Sequence, residues 1–291
     1  MIRIYYVPCH KQTREYRLIR QGLSNNPRVK LVSGEKTSDF VFLFYSVLED
    51  NPHLRKAFPP HKTVFIDYCD KPRWVHPIKC LAYFKRSWVE MMVKGNHVVK
   101  EPIPRPSNFY PLTMAIMDEF IIDGDMERDV ALSCTLRARK QRFNREQVLI
   151  LLRGMHIQGK LQIGEFNREG ARGFDGPLMR EYFRLLRRSR IVVTCNPSKW
   201  EGDHRTWEAF ASGALVFVDR TYTPMAHPLI DGEHCVIYET SNRGLMKLAH
   251  RILYFLENPV QAEAIAKAGY DFTMKYHRAS NRIDEILERI L

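Results

Sequence analysis

Short apolar runs alternate with amphipathic stretches along the chain, and this pattern predicts buried strands separated by surface helices. In the first hundred residues, Ile2–Val7, Phe40–Tyr45, Thr63–Asp67 and Lys79–Phe84 are apolar runs rich in aromatic or β-branched side chains, as in buried parallel strands. Residues 13–23 have the spacing of an amphipathic helix. Such alternation predicts a parallel sheet with helices on both faces.

A proline-rich stretch, Glu101–Pro111, interrupts the pattern. Its four prolines do not fit a helix or a central strand, so it predicts a linker after a first domain of residues 1–110. Beyond it the alternation resumes. Strands are predicted at Asp129–Cys134, Lys160–Ile163, Ile191–Cys195 and Ala214–Asp219. Helices are predicted at Arg145–Leu152, Gly176–Arg188, Thr206–Ala211, Asn242–Glu257, Pro259–His277 and Asn281–Leu291. Two α/β domains with a ligand cleft between them are therefore expected.

Composition excludes several classes of protein. With 45% hydrophobic and 27% charged residues, the chain of 291 residues is typical of a folded, two-domain protein. No apolar run approaches the ~20 residues that span a bilayer, and the first ten residues resemble a strand more than a signal peptide. The six scattered cysteines form no zinc-type pair and indicate reduced thiols. A cytoplasmic location without a membrane span is expected.

The net charge of +12, from 45 Lys and Arg against 33 Asp and Glu, favours phosphate-bearing partners. Nucleic acid, an acidic membrane surface and a nucleotide diphosphate all fit this charge. The basic residues are spread along the chain, and no helix-turn-helix, RNA-recognition or zinc motif accompanies them. A nucleic-acid partner is therefore not expected, although a basic nucleic-acid-binding protein remains the alternative from another class.

The stretch from Ile191 to Asp219 carries the densest candidate chemistry. It has the order strand, polar loop from Asn196, short helix and strand, with Asp203 as a candidate N-cap and Gly213 as a C-terminal stop. The first turn of a helix exposes N–H groups and the positive end of its dipole, which bind phosphate.

Two side chains on this helix extend the donor-site hypothesis. Arg205, in the first turn, can donate two hydrogen bonds to phosphate oxygens. Glu208, on the same face, can accept from ribose hydroxyls. Asn196 is included among the donor-binding candidates. An isolated R-x-x-E is more often a solvated ion pair. The surrounding sequence is therefore needed to choose between such a pair and a donor-binding site.

That surrounding sequence resembles a known family. The run R-x-x-E-A-x-A-S-G-A (Arg205–Ala214), then an apolar strand, Pro224 and P-L-I-D-G-E-H (Pro228–His234), resembles the donor domain of GT-B glycosyltransferases. Within that fold it is most similar to the exostosin-like and spore-coat CgeB-like groups. The resemblance covers about residues 180–280, with A-Y-F-K-R-S (Ala82–Ser87) as a weaker match in the N-terminal half.

The resemblance implies a fold and an activity. The fold class is α/β, GT-B, with two Rossmann-like domains facing across a cleft. Residues 1–110 would bind the acceptor and residues 111–275 the donor, and residues 276–291 would form a helix that packs back toward the N-terminal domain. The reaction implied is transfer from a nucleoside-diphosphate sugar, with a UDP-sugar favoured, to a glycan hydroxyl. Small relatives in large algal viruses suggest UDP-xylose by analogy.

Further donor contacts follow from the same resemblance. In GT-B proteins the loop after the first strand of the donor domain often contributes a basic side chain to the diphosphate. Arg137, within the basic run Thr135–Arg145, is the best placed residue for that contact, and no function is assigned to the others. Tyr222 follows the strand that ends at Asp219 and is a further donor candidate.

An inverting transferase also needs a general base that takes the proton from the acceptor hydroxyl. Candidates lie at the carboxyl ends of strands in the N-terminal domain: Asp70 first, then Asp67 and His10. A retaining enzyme would need no such base. A sugar-nucleotide binder that lacks the base and does not catalyse transfer is a second alternative.

No metal or other cofactor is expected, because Arg205, Arg137 and the helix N-terminus can stabilise the charge of the departing nucleotide. Asp123 and Asp125 form a D-x-D of the kind that holds a divalent cation in GT-A transferases. The dipeptide Asp-Gly within it is a common turn, so a loop is the preferred interpretation.

Overall fold

The structure is a computed structural model that describes residues 1–10, 12–69, 78–88, 91–94, 97–102, 106–121, 124, 126–136, 143–164, 177–196 and 202–291. The chain divides into two compact units. The first unit contains Met1–Met117, Tyr222–Pro228 and His277–Leu291, and the second contains Asp118–Thr221 and Leu229–Tyr276.

A six-stranded, all-parallel sheet forms the centre of the first unit, with the order β2-β1-β3-β4-β5-β8. The strands of this unit are β1 (Ile2–Tyr6), β2 (Val29–Leu31), β3 (Phe40–Phe44), β4 (Thr63–Asp67), β5 (Ala82–Lys85), β6 (Met91–Lys94), β7 (His97–Pro102) and β8 (Phe109–Pro111). Strands β6 and β7 form a separate antiparallel pair. The first two α-helices of this unit are α1 (Arg14–Asn25) and α2 (Tyr45–Asp50).

The central strands are buried along nearly their whole length, which explains their continuous apolar sequences. Helix α1 buries Tyr16, Ile19 and Leu23 on one face, and the Thr13 hydroxyl caps its start by accepting from the Tyr16 backbone N–H at 3.2 Å. The predicted strands and the predicted helix of this region are thereby confirmed.

The second unit has a five-stranded parallel sheet, in the order β10-β9-β11-β12-β13, and its described residues form five α-helices. Its strands are β9 (Val130–Cys134), β10 (Lys160–Ile163), β11 (Ser189–Val193), β12 (Leu215–Asp219) and β13 (Val236–Tyr238). Its helices are α3 (Phe143–Gly154), α4 (Pro177–Arg188), α5 (His204–Ala211), α6 (Asn242–Glu257) and α7 (Pro259–Tyr276). Side chains from β9, β11 and β12 pack with α3, α6 and α7 into one buried cluster.

The last helix, α8 (Ala279–Ile290), belongs to the first unit. Around it the His277 carbonyl accepts from the Ile116 N–H at 2.8 Å, and the Ala279 N–H donates to the Ile116 carbonyl at 3.0 Å. Helix α1 approaches α8 closely, because a Cβ added at Gly22 would lie 2.4 Å from the Ala279 carbonyl oxygen. Two Rossmann-like α/β domains are thus confirmed as the fold class.

The structure corrects the interpretation of Glu101–Pro111 as a linker. Phe109–Pro111 is the edge strand β8, paired with β5, and the first unit continues to Met117. Proline is tolerated there because an edge strand needs hydrogen bonds on one side only. The predicted domain limits at residues 110 and 275 stay predictions, and Tyr222–Pro228 groups with the first unit.

Within the described residues no helix is both long and apolar enough to cross a membrane.

Candidate donor-binding site

The candidate site lies at the carboxyl edge of the second sheet, where β11 and β12 end and α5 begins. Ligands of parallel α/β sheets bind beyond this edge. Asn196 follows β11, Asp219 is the last residue of β12, and Asp203 precedes the first residue of α5.

Asn196 connects these three elements. Its backbone N–H and its Nδ2 both donate to Asp219 Oδ1 at 2.8 Å, and its Oδ1 accepts from the Asp203 backbone N–H at 2.7 Å. The residue is buried. Its amide therefore fixes the start of α5 against two strand ends, and its predicted contact with a donor stays a prediction.

Asp203 holds the N-cap position with extended backbone, as predicted, but its side chain does not cap α5. The carboxylate instead accepts from Arg145 Nη2 at 2.5 Å and from Arg205 Nη1 at 2.9 Å. Burial alone would raise the pKa of Asp203, but the Arg205 and Arg145 charges outweigh it and hold that pKa well below its usual range. Asp203 is thus an ionised link between two arginines.

Arg145 is the site residue to which the sequence analysis assigned no role. It is fully buried in the first turn of α3, and its Nε donates to the Cys195 carbonyl at 2.8 Å. Its Nη1 has no hydrogen-bond partner among the residues that the structure describes. A detectable signal was its spacing: Arg145 shares the buried stripe of α3 with Val148, Leu149 and Leu152, where an arginine is out of place unless it is paired.

Arg205 lies in the first turn of α5 with 16% of its side chain exposed. Burial acts to lower its pKa, but the neighbouring Asp203 carboxylate outweighs burial and the pKa is raised, so the guanidinium stays charged. Only Nη1 donates to Asp203, and the N–H groups on Nε and Nη2 have no partner within the described part of the chain. Charged donors thus remain available at the start of α5 for an anion.

Glu208 sits one turn further along α5 and is buried. Its Oε2 accepts from the Tyr182 hydroxyl of α4 at 2.8 Å, which fixes the carboxylate. The structure therefore brings Arg205 and Glu208 together on one helix, as the sequence predicted. Helix α5 ends at Ala211, and Gly213, two residues later, has a φ of +69° that suits glycine, which confirms the predicted stop.

Asp219 differs from Asp203 in its partners. It is buried and accepts from the two neutral N–H groups of Asn196, and no lysine or arginine pairs with it among the described residues. Burial raises the pKa of Asp219 from 3.8 to about 7, with the Asn196 backbone bond acting in the opposite direction. This carboxyl group therefore titrates near neutral pH.

The general-base candidates belong to the first unit. Asp67, the last residue of β4, is fully buried and accepts from the Tyr83 hydroxyl at 2.5 Å, the Cys69 N–H at 2.9 Å and the Lys85 ammonium at 3.2 Å. Such a carboxylate is enclosed by its own partners. His10 is exposed after β1, and Asp70 lies outside the described residues.

The remaining candidates belong to the first unit or lie outside the described residues. Tyr222 is half-buried in the segment that groups with the first unit. Arg137, Asp123 and Asp125 lie outside the described residues. Within the residues that the structure describes, no group of three His, Cys, Asp or Glu side chains is arranged to hold a metal ion.

Comparison with known proteins identifies the fold and one domain. Residues 155–288 match the model of a family described as Glycosyl transferase-like. No curated protein matches the chain. The chain therefore carries a glycosyltransferase domain, which confirms the enzyme class predicted from the sequence.

Three solved structures match along nearly the whole chain. Sucrose-phosphate synthase from Thermosynechococcus elongatus is 11% identical with a TM-score of 0.61, and covers 100% of this chain and 99% of its own. Anabaena HepE in complex with UDP-glucose is 9% identical with a TM-score of 0.59, covering 99% and 98%. An alpha-glucosyltransferase in complex with UDP-glucose and DNA containing an abasic site is 9% identical with a TM-score of 0.61, covering 99% and 98%. The chain spans 57% of the length of a further match, TarM. At these identities the matches show the fold, which is GT-B.

Proposed function

We propose that this chain transfers a sugar from a nucleoside-diphosphate sugar to a glycan hydroxyl, and that the donor nucleotide binds at the start of α5. The observation that carries the proposal is the arginine pair around Asp203. Arg145 and Arg205 share one carboxylate, so two guanidinium charges meet one negative charge at a helix N-terminus. The uncompensated positive charge and the open N–H groups of Arg205 suit a diphosphate.

A UDP-sugar is the favoured donor. Two of the matched structures contain UDP-glucose, and the resemblance of Arg205–Ala214 to exostosin-like and CgeB-like transferases supports the same class. UDP-xylose remains the first pentose donor to test by that resemblance. Glu208 is proposed to accept from the ribose hydroxyls through the carboxylate that Tyr182 orients.

The proposed chemistry uses the protein's charges and no metal. As the glycosidic bond breaks, the departing diphosphate gains negative charge, which Arg205 and the start of α5 stabilise because they are already oriented. Arg145 is a positioning residue that holds Asp203 and hence Arg205. An inverting course is favoured, with His10 or Asp70 as the proton acceptor, since Asp67 is enclosed by Tyr83 and Lys85. A retaining course is the alternative mechanism.

A turnover assay tests this proposal. The chain is incubated with a panel of UDP- and GDP-sugars and glycan acceptors, and both nucleotide release and labelled product are measured with and without EDTA. We expect turnover with one donor, retained in EDTA and reduced at least ~100-fold in Arg205→Ala, because a charge-assisted bidentate contact is lost.

The matched control is Arg220→Ala, which removes an exposed arginine of the same unit that pairs with Glu239. It should retain wild-type turnover. Donor binding without any turnover would instead indicate a non-catalytic binder. Turnover abolished by EDTA would move the diphosphate contact to a metal at Asp123 and Asp125.

A further inference from the structure

The second unit contains a cavity of about 620 Å³ at the amino edge of its sheet. Ile191 near the start of β11 and Gly213 just before β12 line it, whereas the candidate donor site lies where these strands end. The four residue steps along β12, at ~3.3 Å each, separate the two edges by about 13 Å. This amino-edge cavity is therefore separate from the candidate donor site.

Part of the lining of the amino-edge cavity is apolar. Ile191 of β11, Phe255 of α6 and Ala266 of α7 are buried residues that line it. Its volume is in the range of pockets that enclose a small organic molecule. Both properties indicate a ligand with an organic part, larger than an inorganic ion.

Three arginines line the same cavity. Arg128 lies two residues before β9, Arg187 lies in the last turn of α4, and Arg190 is the second residue of β11. The parallel sheet brings them together, because β9 and β11 are neighbouring strands that start at the same edge. A concentration of guanidinium groups in one cavity favours an anionic ligand.

The other charges of the described lining do not cancel those of the arginines. Lys267 pairs with Asp271 at 2.6 Å, so these two charges compensate each other. Glu263 is the one further acidic residue among the described lining residues, and it is exposed. Three arginines against one carboxylate leave this lining with a net charge of +2.

Backbone carbonyls fix the position of Arg128. Its Nη1 donates to the Arg187 and Ser189 carbonyls at 3.0 and 2.6 Å, and its Nη2 donates to the Ser212 carbonyl at 2.9 Å. A Cβ added at Gly213 would lie 3.0 Å from Arg128 Nη2, so glycine leaves room for this arrangement. Burial lowers the pKa of Arg128, and the Arg187 charge lowers it further. A bound anion would counteract both effects.

Arg128 and Arg190 retain N–H groups that can bind such an anion. Arg128 Nε has no hydrogen-bond partner within the described ranges, and Arg190 uses only Nη2, which donates to the Leu256 carbonyl at 3.3 Å. Neither arginine forms an ion pair with a carboxylate in the part of the chain that the structure describes. Backbone carbonyls accept hydrogen bonds from a guanidinium group but do not neutralise its charge.

A phosphate monoester matches this lining better than a carboxylate does. Near pH 7 it carries a charge of about −1.5 to −2 on three acceptor oxygens, which is close to the opposite of the lining charge. A carboxylate carries one negative charge on two oxygens, and a single arginine can satisfy both. Arg128 and Arg190 come from separate segments, so an anion with three oxygens can accept from both.

We propose that the amino-edge cavity binds a small organic phosphate monoester, with the phosphate at Arg128 and Arg190 and the organic part against the apolar lining. The cavity is a second ligand site of this unit, beside the candidate donor site. Its binding of a phosphate monoester does not depend on glycosyl transfer.

Isothermal titration of the full chain tests this proposal. The phosphate-monoester probes are glycerol 3-phosphate and ribose 5-phosphate, and the carboxylate probe is glycerate. Arg190→Gln removes a positive charge from the lining, and Glu263→Gln removes a negative one. The control, Arg243→Gln, removes a positive charge from an exposed position of α6 outside the lining.

We expect the wild type to bind at least one of the two esters, and more tightly than glycerate. Arg190→Gln should raise the Kd of that ester roughly tenfold, because a charge-assisted hydrogen bond is lost. Glu263→Gln should lower the Kd about threefold at low salt, because a like charge is removed. Arg243→Gln should bind like the wild type.

Three results would overturn the proposal. The first is that the wild type binds neither ester. The second is that Arg190→Gln and Glu263→Gln both bind the ester with the wild-type Kd, which would exclude the amino-edge cavity as the site. The third is that glycerate binds as tightly as the esters, which would exclude recognition of a phosphate.

The variant Arg205→Ala distinguishes this cavity from the candidate donor site. It should bind the ester like the wild type, because Arg205 lies in the first turn of α5 and the cavity lies at the end of that helix. Loss of ester binding in Arg205→Ala would place the ester at the donor site and overturn the proposal. Arg190→Gln should bind UDP like the wild type, which also shows that this variant is folded.

Failure of the cavity and failure of the proposed transferase function give different results. A chain that binds the ester through Arg190 but transfers no sugar would keep the cavity and contradict the proposed function. A chain that transfers sugar but binds no ester would keep the function and contradict the cavity.

Discussion

Each of the two sheets ends its fourth strand in a buried aspartate, and the two carboxylates have different partners. In the first unit, Asp67 meets a buried ammonium, that of Lys85, and a tyrosine hydroxyl. In the second unit, the Asp219 carboxylate accepts from two neutral N–H groups of Asn196, and no Lys or Arg of the described residues forms an ion pair with it. Topologically equivalent positions therefore hold a paired charge in one unit and a carboxyl group without a cationic partner in the other.

This difference indicates a different role for the carboxyl edge of each sheet. The ion pair Asp67–Lys85 is fully buried. Burial lowers the pKa of Lys85, and the Asp67 charge counteracts that lowering. This ion pair links β4 to β5, and its two charges are paired with each other and not available to a ligand. Near Asp219, by contrast, the cations pair with a different carboxylate. Arg145 and Arg205 donate to Asp203, which Asn196 connects to Asp219. The second edge thus keeps positive charge near the surface, where the donor diphosphate is proposed to bind.

The largest expected effect comes from removing the cation of the buried pair Asp67–Lys85. Lys85→Met leaves Asp67 buried without its cation, and we expect a loss of about 3–5 kcal/mol in the free energy of unfolding of the first unit. Urea denaturation measures the loss. The double variant Lys85→Met/Asp67→Asn should recover most of it. A loss below ~1 kcal/mol in Lys85→Met would show that water or another group compensates Asp67.

A smaller effect is expected at the second edge, because Asp203 has two cations. Arg145→Met removes one of them together with the bond to the Cys195 carbonyl, and we expect a loss of about 3 kcal/mol in urea denaturation. Arg220→Met removes an exposed pair and should cost under ~1 kcal/mol. Equal losses in the two variants would contradict the central position given to Arg145.

The smallest effect is a pH dependence specific to the second edge. Asp219 has a pKa of about 7 in the folded chain and an ordinary value of 3.8, so the folded state holds a proton that the unfolded state releases. Stability from this group is therefore lost as pH rises toward 7. Between pH 5.5 and pH 7.5 we expect the wild type to lose about 2 kcal/mol through this group.

Asp219→Asn should remove that loss, so that the variant is the more stable protein at pH 7.5. Unfolding by urea at the two pH values measures the difference. The control Asp271→Asn, at an exposed position of α7, should keep the wild-type pH dependence. An unchanged pH dependence in Asp219→Asn would mean that Asp219 is ionised throughout this range.

Local sequence signals predicted much of the fold. Thr63–Asp67 and Lys160–Ile163 were predicted with the bounds they have in the structure, because each is a short strand-like run between turn signals. Val29–Leu31 was missed because three residues, two of them exposed, are too few to show a strand pattern. Helix α2 was missed because it starts directly after β3, without a turn residue to mark it.

The candidate site was predictable only where its signals are local. Asp203 as N-cap, Arg205 in the first turn and Gly213 as the stop lie within one short stretch of sequence. The partners that orient them are distant: Arg145 is 58 residues from Asp203, and Asn196 is 23 residues from Asp219. Such pairings follow from the parallel sheet, which brings strand ends together. A local sequence pattern does not predict them.

The most direct test of the donor-site account is isothermal titration of UDP into the chain in EDTA, with Arg205→Ala and Arg220→Ala measured in parallel. The account predicts micromolar binding by the wild type and by Arg220→Ala. Arg205→Ala should bind at least ~10-fold more weakly, because a charge-assisted contact with the diphosphate is lost. Equal affinity in Arg205→Ala and the wild type, or no binding of UDP by the wild type, would contradict it.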